Sequence, residues 1–192
     1  MENYLMILIA AIFVNNIVLA KFLGICPFIG VSKKLSTAAG MSGAVIFVMT
    51  LATIVTWLLQ EYILKPYDLL YLRTIVFILV IASLVQIVEI VIKKVSPPLY
   101  QALGIYLPLI TTNCAILGVA ILAADTVEFG LVESTIFAIG NGLGFSLALI
   151  IFSSIREQLD LNDVPEAMKG VPIAFVVASI LALAFMGFSG LA

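Results

Sequence analysis

The 192-residue chain contains no histidine, a single tryptophan and only two cysteines. Without histidine there is no imidazole to serve as the base of a nucleophile triad, and no nitrogen ligand for a mixed sulfur–nitrogen zinc site. Two cysteines fall short of the four thiolates that a structural zinc site or an iron–sulfur cluster ordinarily takes, so neither is completed within the chain. Charge is equally scarce. Asp, Glu, Lys and Arg make up 10% of the residues, against about 25% in soluble domains. The formal net charge is −2 and no basic face can be traced, which argues against nucleic-acid binding. There is no glycine-rich phosphate loop either.

What abounds is apolar. Hydrophobic residues reach 64% and the mean hydropathy is +1.27. This is the composition of an integral membrane protein. The first residues, MENY, lack the positive region of a signal peptide, and further apolar segments follow, so the N-terminus is expected to be retained. Crossing a hydrocarbon core of about 30 Å takes about 20 apolar residues. Six segments qualify, within residues 4–31, 35–60, 69–92, 95–124, 134–155 and 170–192. The first and fourth are longer than one straight crossing needs. Both contain helix-disrupting residues, Gly24 and Pro27 in the first, Gly104 and Pro108 in the fourth. Irregular backbone at membrane depth is tolerated only where protein or a cavity satisfies its polar groups. These two segments are therefore predicted to be discontinuous and to lie inside the bundle. In the fifth segment, Gly140-x-x-x-Gly144 with Asn141 predicts close helix packing.

The same two long segments carry the cysteines. Residues 15–30, NNIVLAKFLGICPFIG, hold Cys26, and residues 106–118, YLPLITTNCAILG, hold Cys114. Glycine follows each cysteine four positions on, as Gly30 and Gly118. Three crossings separate equivalent points, and an odd number makes the two segments run in opposite directions. The expected architecture is all-α: a single membrane domain over residues 1–192, with six transmembrane helices arranged as two inverted three-helix repeats. The repeats cover about residues 1–94 and 95–192, with a site near the midplane between them. Orientation follows the positive residues. Lys33, Lys34, Lys93, Lys94, Arg156 and Lys169 fall in the first, third and fifth loops, with Lys21 either there or within the membrane, and only Lys65 and Arg73 lie opposite. Both termini are thus predicted on the non-cytoplasmic side.

Thiolates are soft ligands suited to copper(I), zinc and iron–sulfur clusters. Spacing alone leaves a plainer alternative open, in which each cysteine is a small buried apolar side chain. The polar neighbours weigh the other way. Asn15, Asn16 and Lys21 precede Cys26, and Thr111, Thr112 and Asn113 directly precede Cys114. Amides and hydroxyls there could hydrogen-bond to sulfur and tune a reduction potential, and Lys21 could offset the charge of a reduced centre. Snorkelling to the headgroups is the alternative for Lys21, and bonding to their own backbone is the alternative for the threonines.

The stretches VNNIVLAKFLGICPFIGVSKK, YLRTIVFILVIA, LGIYLPLITTNCAILGVA and LAFMGFSGL resemble the RnfA/RnfE/NqrD/NqrE family of membrane subunits. The likeness covers essentially the whole chain. These subunits belong to the Rnf electron-transport complex and to the sodium-pumping NADH:quinone reductase. Asn15-Asn16, Lys21, Cys26-Pro27 and Thr111-Thr112-Asn113 favour the RnfA branch. The resemblance implies a six-helix subunit paired with a homologous, oppositely oriented RnfE-like partner. It further implies that two cysteines from each partner jointly hold an iron–sulfur centre, [2Fe–2S], in the middle of the membrane, and Cys26 and Cys114 match those positions. A role in ferredoxin oxidation and NAD reduction follows, coupled to sodium or proton movement across a bacterial or archaeal cytoplasmic membrane. Flavins and the nucleotide site would lie on other subunits, leaving no complete active site here. The competing readings are a purely structural anchor and a transporter-like subunit, because secondary transporters share broken helices and inverted repeats.

Overall fold

A computed structural model describes residues 2–95, 107–126, 130–162 and 165–188. Among the described residues every regular element is helical. Helix α1 (Glu2–Ile9) runs into a π-helical turn, Ala10–Val14. The chain then leaves helical geometry and re-enters it as α2 (Ile25–Val31). Helix α3 (Leu35–Leu59) is prolonged by a second π turn, Gln60–Leu64. A 3-10 turn leads into α4 (Arg73–Val95). Then come α5 (Leu107–Thr111), α6 (Cys114–Asp125), α7 (Leu131–Leu159) and α8 (Val171–Met186).

Three of these stretches, Leu35–Leu64, Leu70–Val91 and Leu131–Leu159, are long and apolar enough to cross a membrane. Shorter apolar helices occupy Tyr4–Val14, Leu109–Asp125 and Val171–Met186. The last is shorter than the expected 170–192 segment, since helix ends at Met186, and 189–192 lie outside the described residues. Gly104 lies outside them too, with the rest of 96–106.

The first and fourth segments are broken, as their length suggested, but proline is not what breaks them. Pro27 is the third residue of α2 and Pro108 the second of α5. There the missing N–H removes no intrahelical bond, so proline is tolerated in a first turn. Gly24, at φ +80°, is what admits the turn into α2. In the fourth segment a side chain sets the break: Asn113 Oδ1 accepts the Ala115 N–H at 3.0 Å and caps α6.

Helices α3 and α7 make the central and most extensive packing pair. On α3 the buried residues Ala38, Met41, Val45, Val48, Met49 and Ala52 recur at helical spacing, and α7 answers with Ala138, Phe145, Ala148, Leu149 and Phe152. A Cβ on Gly142 would stand 3.2 Å from Ile46 Cα, so the two backbones approach closely. Ser42, Thr53, Thr56 and Ser146 each donate their hydroxyl to the carbonyl four residues back, which satisfies them without leaving their own helix. The outer face of α4 and α8 exposes Ile75, Leu79, Ile87, Phe175, Ile180 and Leu183. That surface suits lipid.

The expected packing at Gly140 and Gly144 is present, and what it receives is the broken first segment. A Cβ on Gly140 would lie 3.0 Å from Ala11 Cβ, and one on Gly144 3.1 Å from the Ala11 carbonyl and 3.2 Å from Asn16 Nδ2. The glycines make a trough on α7 in which the irregular chain can lie.

Candidate functional site

The first break is held by one side chain. Asn16 is fully buried. Its Nδ2 donates to the Gly144 carbonyl at 2.8 Å and the Ile12 carbonyl at 3.1 Å. Its Oδ1 accepts the N–H groups of Val18 at 3.1 Å and Leu19 at 3.3 Å. A buried polar group left unpaired costs about 1–3 kcal/mol. A single asparagine therefore removes much of the cost of leaving the helix at this depth.

Beyond it the two breaks meet. The Gly24 N–H donates to Cys114 Sγ at 3.0 Å. A Cβ on Gly24 would fall 3.0 Å from Ala115 Cβ, 3.0 Å from Phe145 Cε2 and 3.1 Å from Asn113 Oδ1. Cys26 follows two residues later as the second residue of α2, and Cys114 is the first residue of α6. Each sulfur thus sits in the first turn of a helix, where the positive end of the dipole favours an anion. Both cysteines are free and exposed. The glycine one turn after each has a packing reason. Gly118 faces Leu23 of the first segment, and Gly30 faces Leu109 of the fourth.

The far ends of the two cysteine helices are also held. Arg156 Nη1 donates to the Ile29 carbonyl at 2.8 Å and to Ser32 Oγ at 2.7 Å, closing the C-terminal end of α2. Its guanidinium lies 5.7 Å from the centre of the Phe152 ring, which stacks on Phe28 at 4.3 Å. Such aromatic pairs contribute about 0.5–1.5 kcal/mol beyond their burial. The sequence placed Arg156 among the loop charges. It is in fact only 9% exposed, because the carbonyl and the hydroxyl it satisfies come from the other half of the chain. At the end of α6, Gln60 Nε2 donates to the Ala124 carbonyl at 2.8 Å, and Arg73 forms a two-pronged ion pair with Asp125. Gln60 and Arg156 stand equally far from the first residues of their helices, Leu35 and Leu131.

Among the described residues no group of three or more His, Cys, Asp or Glu could hold a metal ion. The two cysteine sulfurs are thus the candidate ligands, and no third His, Cys, Asp or Glu joins them among the described residues. Beside them, Asn113 is buried at 3% exposure, and its Nδ2 finds no hydrogen-bond partner among the described residues.

The sequence matches the family described as "Rnf-Nqr subunit, membrane protein" over residues 4–192. The chain belongs to the Rnf-Nqr family. It is 58% identical over 191 residues to the A subunit of the ion-translocating oxidoreductase complex of Syntrophotalea carbinolica, covering 100% of this chain and 98% of the relative. It is 57% identical over 185 residues to the A subunit of the Na(+)-translocating ferredoxin:NAD(+) oxidoreductase complex of Acetobacterium woodii, with 96% of each covered. The corresponding protein of Shewanella pealeana, again the A subunit of an ion-translocating oxidoreductase complex, is 56% identical over 191 residues, covering 100% of this chain and 99% of the relative.

Of the residues singled out in this Rnf-Nqr sequence, the fold brings Cys114 and Asn113 against the turn that leads into Cys26. Lys21 is exposed in the irregular stretch before Gly24, Thr111 is half-buried at the end of α5, and Thr112 is exposed in the second break. Sequence reasoning did not find Gly24 as a donor to sulfur, nor Arg156 as a helix-end plug. A glycine two residues before the cysteine was the only local signal for the first, and the second had none.

Proposed function

We propose that this Rnf-Nqr chain is the A-type membrane subunit of an ion-translocating ferredoxin:NAD oxidoreductase complex. In this reading Cys26 and Cys114 supply half the ligands of a [2Fe–2S] centre, and a homologous RnfE-like subunit supplies two further cysteines. The observation that carries it is the Gly24 N–H bonded to Cys114 Sγ. That bond joins two cysteine-bearing breaks separated by nearly half the chain.

The donor set fits such a group. Both ligands are soft sulfurs, the choice for iron–sulfur chemistry over hard cations, and two thiolates leave two positions for a partner. The sulfurs are open at the surface, and polar groups at membrane depth require protein rather than lipid over them. When bound, the centre would take up and release one electron at a time. Cys26 and Cys114 would hold it, the Gly24 N–H and the two helix ends would favour its negative charge, and Phe145 packs behind the turn to keep water out. Other subunits would carry the flavins and remaining clusters, with sodium or proton movement coupled to the electron path.

The inverted-repeat reading draws support from the latches. Broken segment, long helix and further apolar helix occur twice in order. Arg156, near the end of α7, holds the end of α2, and Gln60, at the end of α3, holds the end of α6. Ser32 bonds Arg156 just before α3 begins, which suits α3 running opposite to α7. The two cysteine helices would then enter from opposite faces of the membrane.

Iron and acid-labile sulfide in the purified pair of this chain and its RnfE-like partner test the reading directly. Both are expected, and a complex active in electron transfer without a centre at these cysteines would overturn it. Topology is a second test. Cysteines placed at Lys33 or Lys94 should resist a membrane-impermeant thiol reagent in intact cells and react after permeabilisation. Labelling of either from outside would reverse the orientation that puts both termini on the non-cytoplasmic face. For Lys21, replacement by methionine should lower the potential of the centre while leaving it assembled. An unchanged potential would assign Lys21 to the headgroups.

A further inference from the structure

Asn113 carries a carboxamide of which only one half is used. Its Oδ1 caps α6 through the Ala115 N–H at 3.0 Å. That bond fixes the orientation of the amide, because a flipped group would turn N–H against N–H. The Nδ2 hydrogens must therefore point elsewhere. The residue is 3% exposed, and this nitrogen has no acceptor among the described residues. The contrast is Asn16, whose Oδ1 and Nδ2 make four hydrogen bonds within the chain. Capping alone does not call for an amide, since an ionised Asp caps a helix as well and brings no buried donor to satisfy. The unused N–H belongs to the residue directly before Cys114, and the same carboxamide borders Gly24, whose N–H is already on the Cys114 sulfur.

Resting on the reading of Cys26 and Cys114 as cluster ligands, we propose that Asn113 is a positioning residue that raises the electron affinity of the centre. Its Oδ1 holds the cap that places Cys114, and its Nδ2 donates a hydrogen bond to a sulfur of the bound centre. A neutral N–H in a low-dielectric surround stabilises the charge gained on reduction. The sulfur in turn satisfies a buried side-chain donor that the described residues leave open.

The test uses the whole purified complex and two variants that keep a capping oxygen, Asn113→Asp and Asn113→Ser. Iron and sulfide are counted first, then the midpoint potential is measured by redox titration followed by electron paramagnetic resonance. Both variants should keep the centre and shift its potential negative, Asp further than Ser. A full centre at unchanged potential in both would overturn the proposal. A centre missing from the wild-type complex would instead overturn the reading beneath it. Should both variants lose the centre, the wild-type protein decides. With asparagine side chains labelled in heavy nitrogen, pulsed resonance of the reduced centre should reveal a weakly coupled nitrogen, and none would mean that Asn113 does not touch it.

Discussion

Replacing Cys26 or Cys114 by serine is expected to empty the proposed iron–sulfur centre while leaving the helices packed. Serine differs from cysteine by one atom, and both side chains are exposed in the chain, so no buried volume is lost. Its oxygen is a harder and poorer ligand for iron than a thiolate. The chain holds no spare cysteine. Affinity for the centre should fall by more than the roughly 10–100-fold that loss of an outer hydrogen-bond partner costs a metal site. Ferredoxin-driven NAD reduction should drop to a similar low level in either variant. The double variant should be little worse, because ligands acting as a unit are not additive. A single variant with full iron content and full electron transfer would make the cysteines mere filler.

Gly24→Ala should do nearly as much damage from the backbone. At φ +80° a side chain costs about 1–2 kcal/mol. The added methyl would also stand 3.0 Å from Ala115 Cβ and Phe145 Cε2, and overpacking of this kind costs about 1–3 kcal/mol. Relief requires the turn to move, and the turn carries the N–H bonded to Cys114. Gly170→Ala is a control for positive φ without crowding, at φ +88° and ψ −117° with no neighbour within 4 Å of the new methyl. Both variants should lose thermal stability, but only Gly24→Ala should lose iron and electron transfer. Equal iron content in the two would remove Gly24 from the site.

The sequence displayed its two long interrupted segments because length and hydropathy are local properties. Of the residues it offered as interruptions, Gly24 is one and the two prolines are not. Pro27 and Pro108 look like breakers, yet a first-turn proline is compatible with a helix, and the actual turns belong to Gly24 and to the Asn113 cap. Gly140 and Gly144 were readable as a packing face, since small residues four apart have few other uses in an apolar helix. Their occupant was not, because Ala11 and Asn16 lie more than half the chain away. Arg156 misled for the same reason. A cation after an apolar run reads as a loop charge until the Ile29 carbonyl is placed beside it. The two cysteines and Asn113 were legible as candidates, while the bond from Gly24 to sulfur required the fold.

The exposure of both sulfurs bears on how such a protein is made. A chain newly inserted in the membrane, still alone, presents two bare thiols and Lys21 on its outer surface. On the proposed reading, half a ligand set grips iron too weakly to keep it, so maturation has a fixed order in which dimerisation precedes metal loading. A chain made in excess of its partner would stay colourless, its thiols open to oxidants and to stray soft metals. Balanced synthesis of the two chains then becomes a condition for cofactor delivery, and unmatched copies carry a chemical mark by which the cell can tell them from finished ones.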